Sequence, residues 1–352
     1  MNKFKNSLCL SFYMGVKLPG ILPVKIISWD DLKDKKIGVD ASNTLYQFLS
    51  SIRQQDGTPL MDSKGRVTSH LSGIFHRNLN LMQKGMKLCY IFDGKPPELK
   101  YQTQKERRER KEKAYEKYKE ARQEDDVELM HKYSKQVTYL NNEMVEESKE
   151  LIKAMGMPII QSPSEADAQG AFMVEKKDLD YFATSDADAL MHNCPRSIPN
   201  LTLSQTRKLP GGKFVYIQPQ IIELKDVLDH LGINQDQLIV MGILTGTDYN
   251  RKGIPGIGPK KALALVKQHK NFDKLFSELN PDFNWKQIFA IFKSMPVMKN
   301  YQLKWNALDE KKVKEILVEQ HDFSEERINN LLKKFKDDKE EKKQKGLKDF
   351  MR

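Results

Sequence analysis

Two pairs of acidic residues stand close together in the middle of the sequence. Glu165 and Asp167 follow Ser164, and Asp186 and Asp188 follow an apolar run. Carboxylates that are held together without a counter-charge repel one another and raise one another's pKa. A divalent cation with oxygen ligands removes that repulsion, so the spacing indicates a metal site. Each pair also has a simpler interpretation, since the first pair suits a helix N-terminus and Asp-Ala-Asp suits a solvated turn.

Each acidic pair also predicts the local element that carries it. Ser164, with Asp167 three residues later, predicts an N-cap and a capping box at the start of a helix. The run Tyr181-Phe182-Ala183-Thr184 predicts a short buried strand. In an extended chain residues i and i+2 point to the same side, so we expect Asp186 and Asp188 to leave the strand end together.

Two further apolar runs end in aspartate. Residues 37–39 lead to Asp40 and then to a helical pattern, and residues 88–92 lead to Asp93. Strands that alternate with helical segments predict an α/β fold, with a mostly parallel central sheet and helices on both faces. Sites in such sheets lie at the carboxyl ends of the strands, so we expect these two aspartates to converge with the acidic pair at 186 and 188.

The composition indicates a polyanionic partner. The chain has 352 residues and a net charge of +11, which favours nucleic acid over a membrane surface. No stretch has the roughly 20 consecutive apolar residues of a membrane-spanning helix. The three cysteines, Cys9, Cys89 and Cys194, are too few and too scattered for a disulfide framework or a zinc site. We therefore expect an intracellular protein.

A long charged segment follows the second of these aspartates. Residues 98–155 contain no glycine and no proline, and the first part is rich in Lys, Arg and Glu. The segment must be helical, yet this part lacks the apolar stripe of a packed helix. A solvated helix with Glu/Lys pairs is one interpretation. Alternatively, Lys100, Arg107 and Lys111 lie near one helical face and could lead a phosphate backbone toward the site.

A glycine-rich turn at residues 253–258 precedes a helix that we predict to begin near Pro259. Free amides at that helix N-terminus, with Lys260 and Lys261 beside them, would form an anion site. The pattern predicts a helix-hairpin-helix that holds the DNA backbone without reading bases, and a simple interhelical turn is the alternative. Further on, residues 333–345 are too charged to fold alone.

Six blocks of sequence together resemble the flap endonucleases, a family of structure-specific 5′ nucleases, in their archaeal form. The blocks, in chain order, are VDASNTLYQFL, IFDGKPP, SPSEADAQGAFM, SDADAL, GTDYN and GIPGIGPKKA. The resemblance runs from Met14 to Arg352. It implies a nuclease domain at 14–332, with a helical arch over the active site at about 98–135 and the helix-hairpin-helix at about 238–270. It also implies a flexible tail at 333–352 with a clamp-binding motif.

The resemblance implies roles for individual residues. The implied metal ligands are Asp40, Asp93, Glu165, Asp167, Asp186, Asp188 and Asp248. The implied catalytic residues at the base of the arch are Lys100 and Arg107. The implied DNA-binding residues are the base-stacking Tyr46, Arg53, Arg77, Gly256, Gly258, Lys260 and Lys261. The implied clamp-binding residues are Gln344, Leu347, Phe350 and Met351. Asp167 stands where the family usually has glutamate, and Met351 stands where it usually has an aromatic residue.

The implied activity is that of a 5′ flap endonuclease with 5′–3′ exonuclease activity. It would remove 5′ flaps in replication, during Okazaki fragment maturation, and in repair, by two-metal phosphodiester hydrolysis. The implied cofactors are two Mg²⁺ ions about 4 Å apart, with Mn²⁺ as a substitute, and a monovalent cation at the helix-hairpin-helix. Hard oxygen ligands without histidine favour Mg²⁺ over zinc. The implied partners are DNA with a 5′ flap or nick and the sliding clamp PCNA, without a membrane, for a cytoplasmic, nucleoid-associated monomer.

Residues 1–13 have no counterpart in the family pattern. We expect the working chain to begin at Met14 or, after processing, at Gly15, with the first thirteen residues a misplaced start or a disordered extension.

Two other classes of function compete with a nuclease. A non-catalytic DNA scaffold bound to a clamp would lack some of the carboxylates, whereas every matched position here is acidic. A phosphatase for small molecules could use Asp186 and Asp188. That activity would leave the helix-hairpin-helix, the basic arch and the clamp-binding tail without a role.

Overall fold

The computed structural model describes residues 22–54, 57–101, 139–202, 206–208 and 214–350, together with residues 109, 113, 114, 116, 117, 120, 121 and 129. The expectations for residues 1–13, for Arg107, for Lys111 and for Met351 lie outside these residues. The same holds for the side chains of Gln344, Leu347 and Phe350.

A seven-stranded sheet forms the centre of the described structure. Its strands are β1 (Lys25–Ile26), β2 (Lys36–Asp40), β3 (Lys87–Phe92), β4 (Ile159–Gln161), β5 (Tyr181–Ala183), β6 (Arg196–Ser197) and β9 (Gln220–Glu223). They are ordered β1-β9-β6-β5-β2-β3-β4. The five strands from β6 to β4 run parallel, and β9 is antiparallel to both of its neighbours. The predicted mostly parallel sheet is thus confirmed. A separate antiparallel ribbon pairs β7 (Thr206–Lys208) with β8 (Phe214–Tyr216).

The side chains of β3 alternate between two apolar cores, one on each face of the sheet. Leu88, Tyr90 and Phe92 enter the first core, and Cys89 and Ile91 enter the second. A strand buried on both faces needs helices on both sides, as predicted. The first face is covered by α1 (Ala41–Ser51), α2 (Ser69–Gln83) and α3 (Asn142–Ala154), and the second by α4 (Ala166–Glu175).

A third core holds the helical region that follows β5. Its helices are α5 (Asp188–Met191), α6 (Leu224–Leu231), α7 (Gln235–Thr245), α8 (Pro259–Gln268), α9 (Phe272–Leu279) and α10 (Trp285–Ser294). Residues 238–244 of α7 are all buried, so this helix is the centre around which the others pack. The predicted start of α8 at Pro259 is confirmed, with Gly258 as its N-cap.

The C-terminal helices differ from the expected tail. After α11 (Glu310–Lys314) and a π-helical turn at Glu315–Gln320, α12 runs over Glu325–Phe350. Residues 333–350 therefore lie within a helix. Leu332 and Phe335 are buried in the core on the first face, and Gln83 donates to Asp338 at 3.1 Å. Because packing fixes the first turns of α12, the charged residues only extend a helix that is already nucleated.

Between residues 100 and 129, the charged segment after Asp93 is helical wherever it is described. The helical residues are 100, 101, 109, 113, 114, 116, 117, 120, 121 and 129. Two residues of this segment, Ala114 and Ala121, are buried. No helix in the described part of the chain is long and apolar enough to span a membrane.

Candidate active site

Asp40 joins the ends of two neighbouring strands. It is the last residue of β2 and the N-cap of α1, where its Oδ1 accepts a hydrogen bond from the Asn43 amide at 2.9 Å. Its Oδ2 accepts from the hydroxyl of Thr184 at 3.2 Å. Thr184 directly follows β5, so the bond links the carboxyl ends of β2 and β5. The convergence that the parallel sheet predicted is therefore present here.

Asp93, which directly follows β3, caps the N-terminus of α4. Its Oδ1 accepts from the amide of Ala166, the first residue of α4, at 2.8 Å. The prediction that Ser164 is the N-cap is wrong, because Glu165 holds that position and makes no side-chain capping bond. The hydroxyl of Ser164 instead donates to the carbonyl of Lys95 at 3.1 Å. A carboxylate at a helix N-terminus is stabilised by the free amides and by the helix dipole.

The loops that carry Asp93 and Glu165 touch backbone to backbone. The Gly94 amide donates to the carbonyl of Ser164 at 2.5 Å, and the Lys95 amide donates to that of Pro163 at 3.2 Å. A Cβ atom at Gly94 would lie 2.1 Å from the carbonyl oxygen of Ser162, a distance that no side chain could tolerate. Glycine at this position thus permits the approach that brings the two acidic residues together.

Asp186 and Asp188 lie in a buried turn. The strand β5 ends at Ala183, and Asp188 begins the short helix α5. The Asp188 amide donates to Asp186 Oδ1 at 3.1 Å, so the predicted extended arrangement is wrong. Short polar side chains that bond the backbone two residues away favour such turns. The turn is not a solvated one, because Asp188 is only 4% exposed.

The seven acidic residues form one electrostatic cluster. Burial raises the pKa of Asp40 to about 7, and repulsion from Asp93 adds to the shift. Burial and then repulsion from Asp186 hold the pKa of Asp167 well above its ordinary value. Burial and then repulsion from Asp188 do the same to the pKa of Asp186. Glu165 and Asp248 take part in the same repulsions, so all seven carboxylates lie near enough to interact electrostatically.

Lys100 enters this cluster from the base of the charged segment. Its ammonium group lies 2.5 Å from Glu165 Oε1 and 3.2 Å from Asp248 Oδ2. Burial alone would lower the pKa of Lys100, but the two carboxylates outweigh it and raise that pKa. The sequence placed Lys100 near the acidic site, and the structure brings it into direct contact with two of the acidic residues.

Tyr249 is a member of the site that the sequence reasoning missed. Its hydroxyl donates to Glu165 Oε2 at 2.6 Å, and the residue is only 7% exposed. Burial and the nearby Glu165 carboxylate raise the pKa of the phenol, so it stays protonated and acts as a donor. Its position next to Asp248, inside one of the matched blocks, was the available signal.

The residues present fit a divalent cation with oxygen ligands. All seven acidic side chains offer carboxylate oxygens, and Asp167 Oδ1 is buried without a hydrogen-bond partner. In the described part of the chain, however, no three acidic, histidine or cysteine side chains surround one point as an assembled metal site would. Lys100 supplies the positive charge between Glu165 and Asp248 instead.

The turn before α8 presents free backbone to solvent. Gly256 has a φ of +76°, and neither it nor Gly258 has any atom within 4 Å of where a Cβ would lie. Ile254 and Ile257, each 8% exposed, anchor the turn in the core of the helical region. Lys260 and Lys261 are exposed at the start of α8. The predicted anion site thus has an open helix N-terminus flanked by two cations.

The remaining DNA-binding candidates lie on α1 and α2. Tyr46 is half-buried on α1, and Arg77 is half-buried on α2, where burial lowers the pKa of its guanidinium. Arg53 donates to the carbonyls of Ser50 at 3.1 Å and Gly57 at 2.8 Å. Arg53 therefore links the last turn of α1 to Gly57, a role that the sequence did not indicate.

We expect Asp40→Asn to stabilise the metal-free protein at high pH. The pKa of Asp40 is raised in the folded state, so the aspartate destabilises the fold increasingly as the pH rises from about 4 toward about 7. The gain should be roughly 1–4 kcal/mol above pH 7, since one pKa unit corresponds to about 1.4 kcal/mol. Urea unfolding of both proteins in EDTA at pH 5 and at pH 8 measures it.

The matched control for this experiment is Asp229→Asn, a change at an exposed position on α6. Its stability should follow that of the wild type at both pH values. A gain for Asp40→Asn that is equal at pH 5 and pH 8 would contradict the expectation, because the costs of burial and of repulsion from Asp93 exist only when the Asp40 carboxylate is charged.

Two family models match the chain. The XPG N-terminal domain matches residues 14–114, and the XPG I-region matches residues 156–248. Flap endonuclease 1 of Hyperthermus butylicus is 47% identical over 331 residues, which cover 92% of this chain and 94% of that protein. Flap endonuclease 1 of Pyrococcus abyssi is 47% identical over 324 residues, which cover 92% and 94% of the two chains.

Solved structures resemble the fold. Flap endonuclease-1 from Methanococcus jannaschii superposes with a TM-score of 0.74 at 38% identity, and the match covers 93% of this chain and 100% of that one. The catalytic core of Rad2 in complex with DNA substrate superposes with a TM-score of 0.65 at 21% identity, over 89% and 96% of the two chains. At that identity the Rad2 match shows a shared fold.

Proposed function

The chain belongs to the flap endonuclease family, and from this premise we propose that its acidic cluster hydrolyses DNA phosphodiester bonds with the help of two Mg²⁺ ions. It is a structure-specific 5′ flap endonuclease of DNA replication and repair, and nucleases of this family depend on metal ions. The observation that carries the proposal is the excess of carboxylates over positive charge at this site, where burial and mutual repulsion raise the pKa of Asp40, Asp167 and Asp186. Cations would relieve that repulsion.

The proposed ligands of the two ions are Asp40, Asp93, Glu165, Asp167, Asp186, Asp188 and Asp248. Bound Mg²⁺ would activate the attacking water and stabilise the leaving oxygen, and Mn²⁺ would serve in its place. Lys100 and Arg107 would neutralise the scissile phosphate. Lys100 has a flexible side chain and already lies at the cluster, so a short movement away from Glu165 would direct its charge to the DNA.

The remaining proposed contacts position the substrate. Gly256, Gly258, Lys260 and Lys261 would hold the duplex by its backbone, together with a monovalent cation, while Tyr46 would stack on a base. Arg53 and Arg77 would contact the DNA further along α1 and α2. We propose DNA with a 5′ flap or a nick as the substrate of a monomeric, cytoplasmic enzyme with a nuclease domain at 14–332. The arch would cover the active site.

Cleavage of labelled DNA tests this proposal. Matched flap, nicked and single-stranded substrates are incubated with the protein in Mg²⁺, in Mn²⁺ and in EDTA. We expect cuts near the flap junction in either metal, weaker action on the nick, and none in EDTA. Cleavage that persists in EDTA, or that is equal on single-stranded DNA, would overturn it. Hydrolysis of p-nitrophenyl phosphate in place of DNA would favour the phosphatase.

We also propose that the C-terminal end binds a sliding clamp through Gln344, Leu347, Phe350 and Met351. Leu347 and Phe350 stand in a strongly charged stretch, and apolar residues in such a setting are typical of a docking motif. The double variant Leu347→Ala, Phe350→Ala should keep basal flap cleavage and lose stimulation by an archaeal clamp. Cleavage rates with and without clamp measure this, with Glu340→Ala as the control in the same helix. Full stimulation of the double variant would refute the assignment.

A further inference from the structure

We infer that Tyr249 is a positioning residue of the reaction. It holds Oε2 of the Glu165 carboxylate, so that Oε1 of the same group faces the cation site. The inference rests on the proposed function, because it assigns Tyr249 a role only if Glu165 binds a metal ion. Tyr249 touches neither the ion nor the DNA in this role and acts through Glu165 alone.

The two oxygens of Glu165 have different partners. Oε2 accepts from the Tyr249 hydroxyl at 2.6 Å, on the buried side of the site. Oε1 faces the ammonium of Lys100 at 2.5 Å, which also lies 3.2 Å from Asp248 Oδ2. Glu165, through Oε1, and Asp248, through Oδ2, therefore converge on one positive charge. The phenol is a neutral donor, so it orients the carboxylate and leaves its negative charge available to a cation.

The backbone of Tyr249 is held firmly. Its amide donates to the hydroxyl of Thr247 at 3.1 Å. Asn250 accepts from both the amide and the hydroxyl of Thr247, at 3.0 and 2.7 Å, and donates to the carbonyl of Ile243 at 2.7 Å. The turn that carries Asp248 and Tyr249 is thereby tied to the buried helix α7. A fixed backbone lets the phenol hold Glu165 in one place.

The ring of Tyr249 is held by the helical region. It packs edge to face against Phe292 of α10, with 5.5 Å between the ring centroids. Phe292 also contacts the ring of His192, with 4.9 Å between the centroids, and His192 directly follows the helix that begins with Asp188. One aromatic residue of α10 thus supports the segments that carry two of the proposed ligands, Asp188 and Asp248. The contact with Phe292 and the hydrogen bond to Glu165 hold the two ends of the Tyr249 side chain.

Loss of the hydroxyl alone should weaken metal binding. In Tyr249→Phe the ring keeps its packing on Phe292, but Glu165 Oε2 loses its buried donor. The carboxylate can then turn, and its alternative orientations compete with the one that binds the ion. We expect the affinity for Mg²⁺, or for Ca²⁺ as a non-catalytic probe, to fall roughly 10- to 100-fold, as is typical of residues that orient a metal ligand.

The test measures metal binding separately from cleavage. Calorimetric titration of the DNA-free protein with Ca²⁺ and Mg²⁺ gives the affinity, and the Mg²⁺ dependence of flap cleavage gives the half-saturating concentration. Both should shift in Tyr249→Phe, while flap affinity in EDTA should match the wild type. The control is Tyr301→Phe, which removes a similar hydrogen bond of 2.5 Å to Asp178, a residue outside the acidic cluster. It should leave both metal readouts unchanged.

Thermal unfolding in EDTA shows whether each variant is folded. Wild-type metal affinity in a folded Tyr249→Phe protein would overturn the inference. If that protein unfolds, two other variants give the test. Tyr249→Trp removes the hydroxyl, and Phe292→Leu removes the ring that packs on Tyr249. Unchanged metal binding in these variants would equally overturn the inference. Failure of the wild type to bind metal or cleave flaps would overturn the proposed function instead. The two failures are therefore distinguishable.

Discussion

Replacing Asp188 by alanine should lower the rate of flap cleavage by about a thousandfold or more. Asp188 is 4% exposed, and its charge adds to the effect of burial in raising the pKa of both Asp167 and Asp186. As a proposed metal ligand it would support transition-state stabilisation of several kcal/mol, and each 1.4 kcal/mol is about tenfold in rate. Asp93→Ala should have a similarly large effect. Single-turnover cleavage of a labelled flap measures both.

The same two variants should differ in stability. Asp188→Ala removes a charge from a repelling cluster, so it should stabilise the metal-free protein, most strongly at high pH. Asp93→Ala leaves the Ala166 amide at the start of α4 without its acceptor, which should cost about 1 kcal/mol. Urea unfolding in EDTA gives both values.

Flap binding should be almost unchanged in both variants, because the proposed DNA contacts lie elsewhere. Binding is measured in Ca²⁺, with Asp229→Ala as the control for loss of an exposed carboxylate. Near wild-type cleavage by either variant would exclude that residue as a required metal ligand. A matching loss of binding would mean that the residue acts on the substrate and not on the chemistry.

The double variant Lys260→Ala, Lys261→Ala should bind duplex DNA more weakly, whatever its sequence. Both lysines are exposed at the N-terminus of α8, beside the open glycine turn. Phosphate contacts act through counterion release, so the slope of log affinity against log salt should become shallower by up to about 2. At low salt the affinity should fall roughly 10-fold or more. Titration at several salt concentrations measures the slope.

A matched control separates local contacts from net charge. Lys333→Ala, Lys334→Ala removes the same charge from adjacent exposed positions on α12, and it should change the slope less. Cleavage at saturating enzyme should be similar in all three proteins, since neither pair touches the acidic cluster. An unchanged slope in the α8 variant would show that the helix-hairpin-helix does not hold the DNA backbone.

Local sequence determined the elements that build the site. Apolar runs before Asp40 and Asp93 predicted two parallel strands, and the glycine turn before Pro259 predicted the start of α8. These signals are readable because strand burial and helix initiation depend on residues close in sequence. The matched blocks also gave the family. The resemblance to the family implied a catalytic role for Lys100, and its place just after Asp93 was consistent with a basic face that leads to the site.

Tertiary structure decided how the acidic residues are held. The amide that Asp93 caps is 73 residues away, and the tyrosine that orients Glu165 is 84 residues away. Such bonds exist only after the sheet and the helical region have assembled, so a local rule assigned the cap to Ser164 instead. The charged composition of residues 333–345 also did not predict their helix. That helix is anchored by Phe335, which is buried in the core on the first face of the sheet, far away in sequence. Sequence determined which groups were available, and packing between distant segments decided which of them meet.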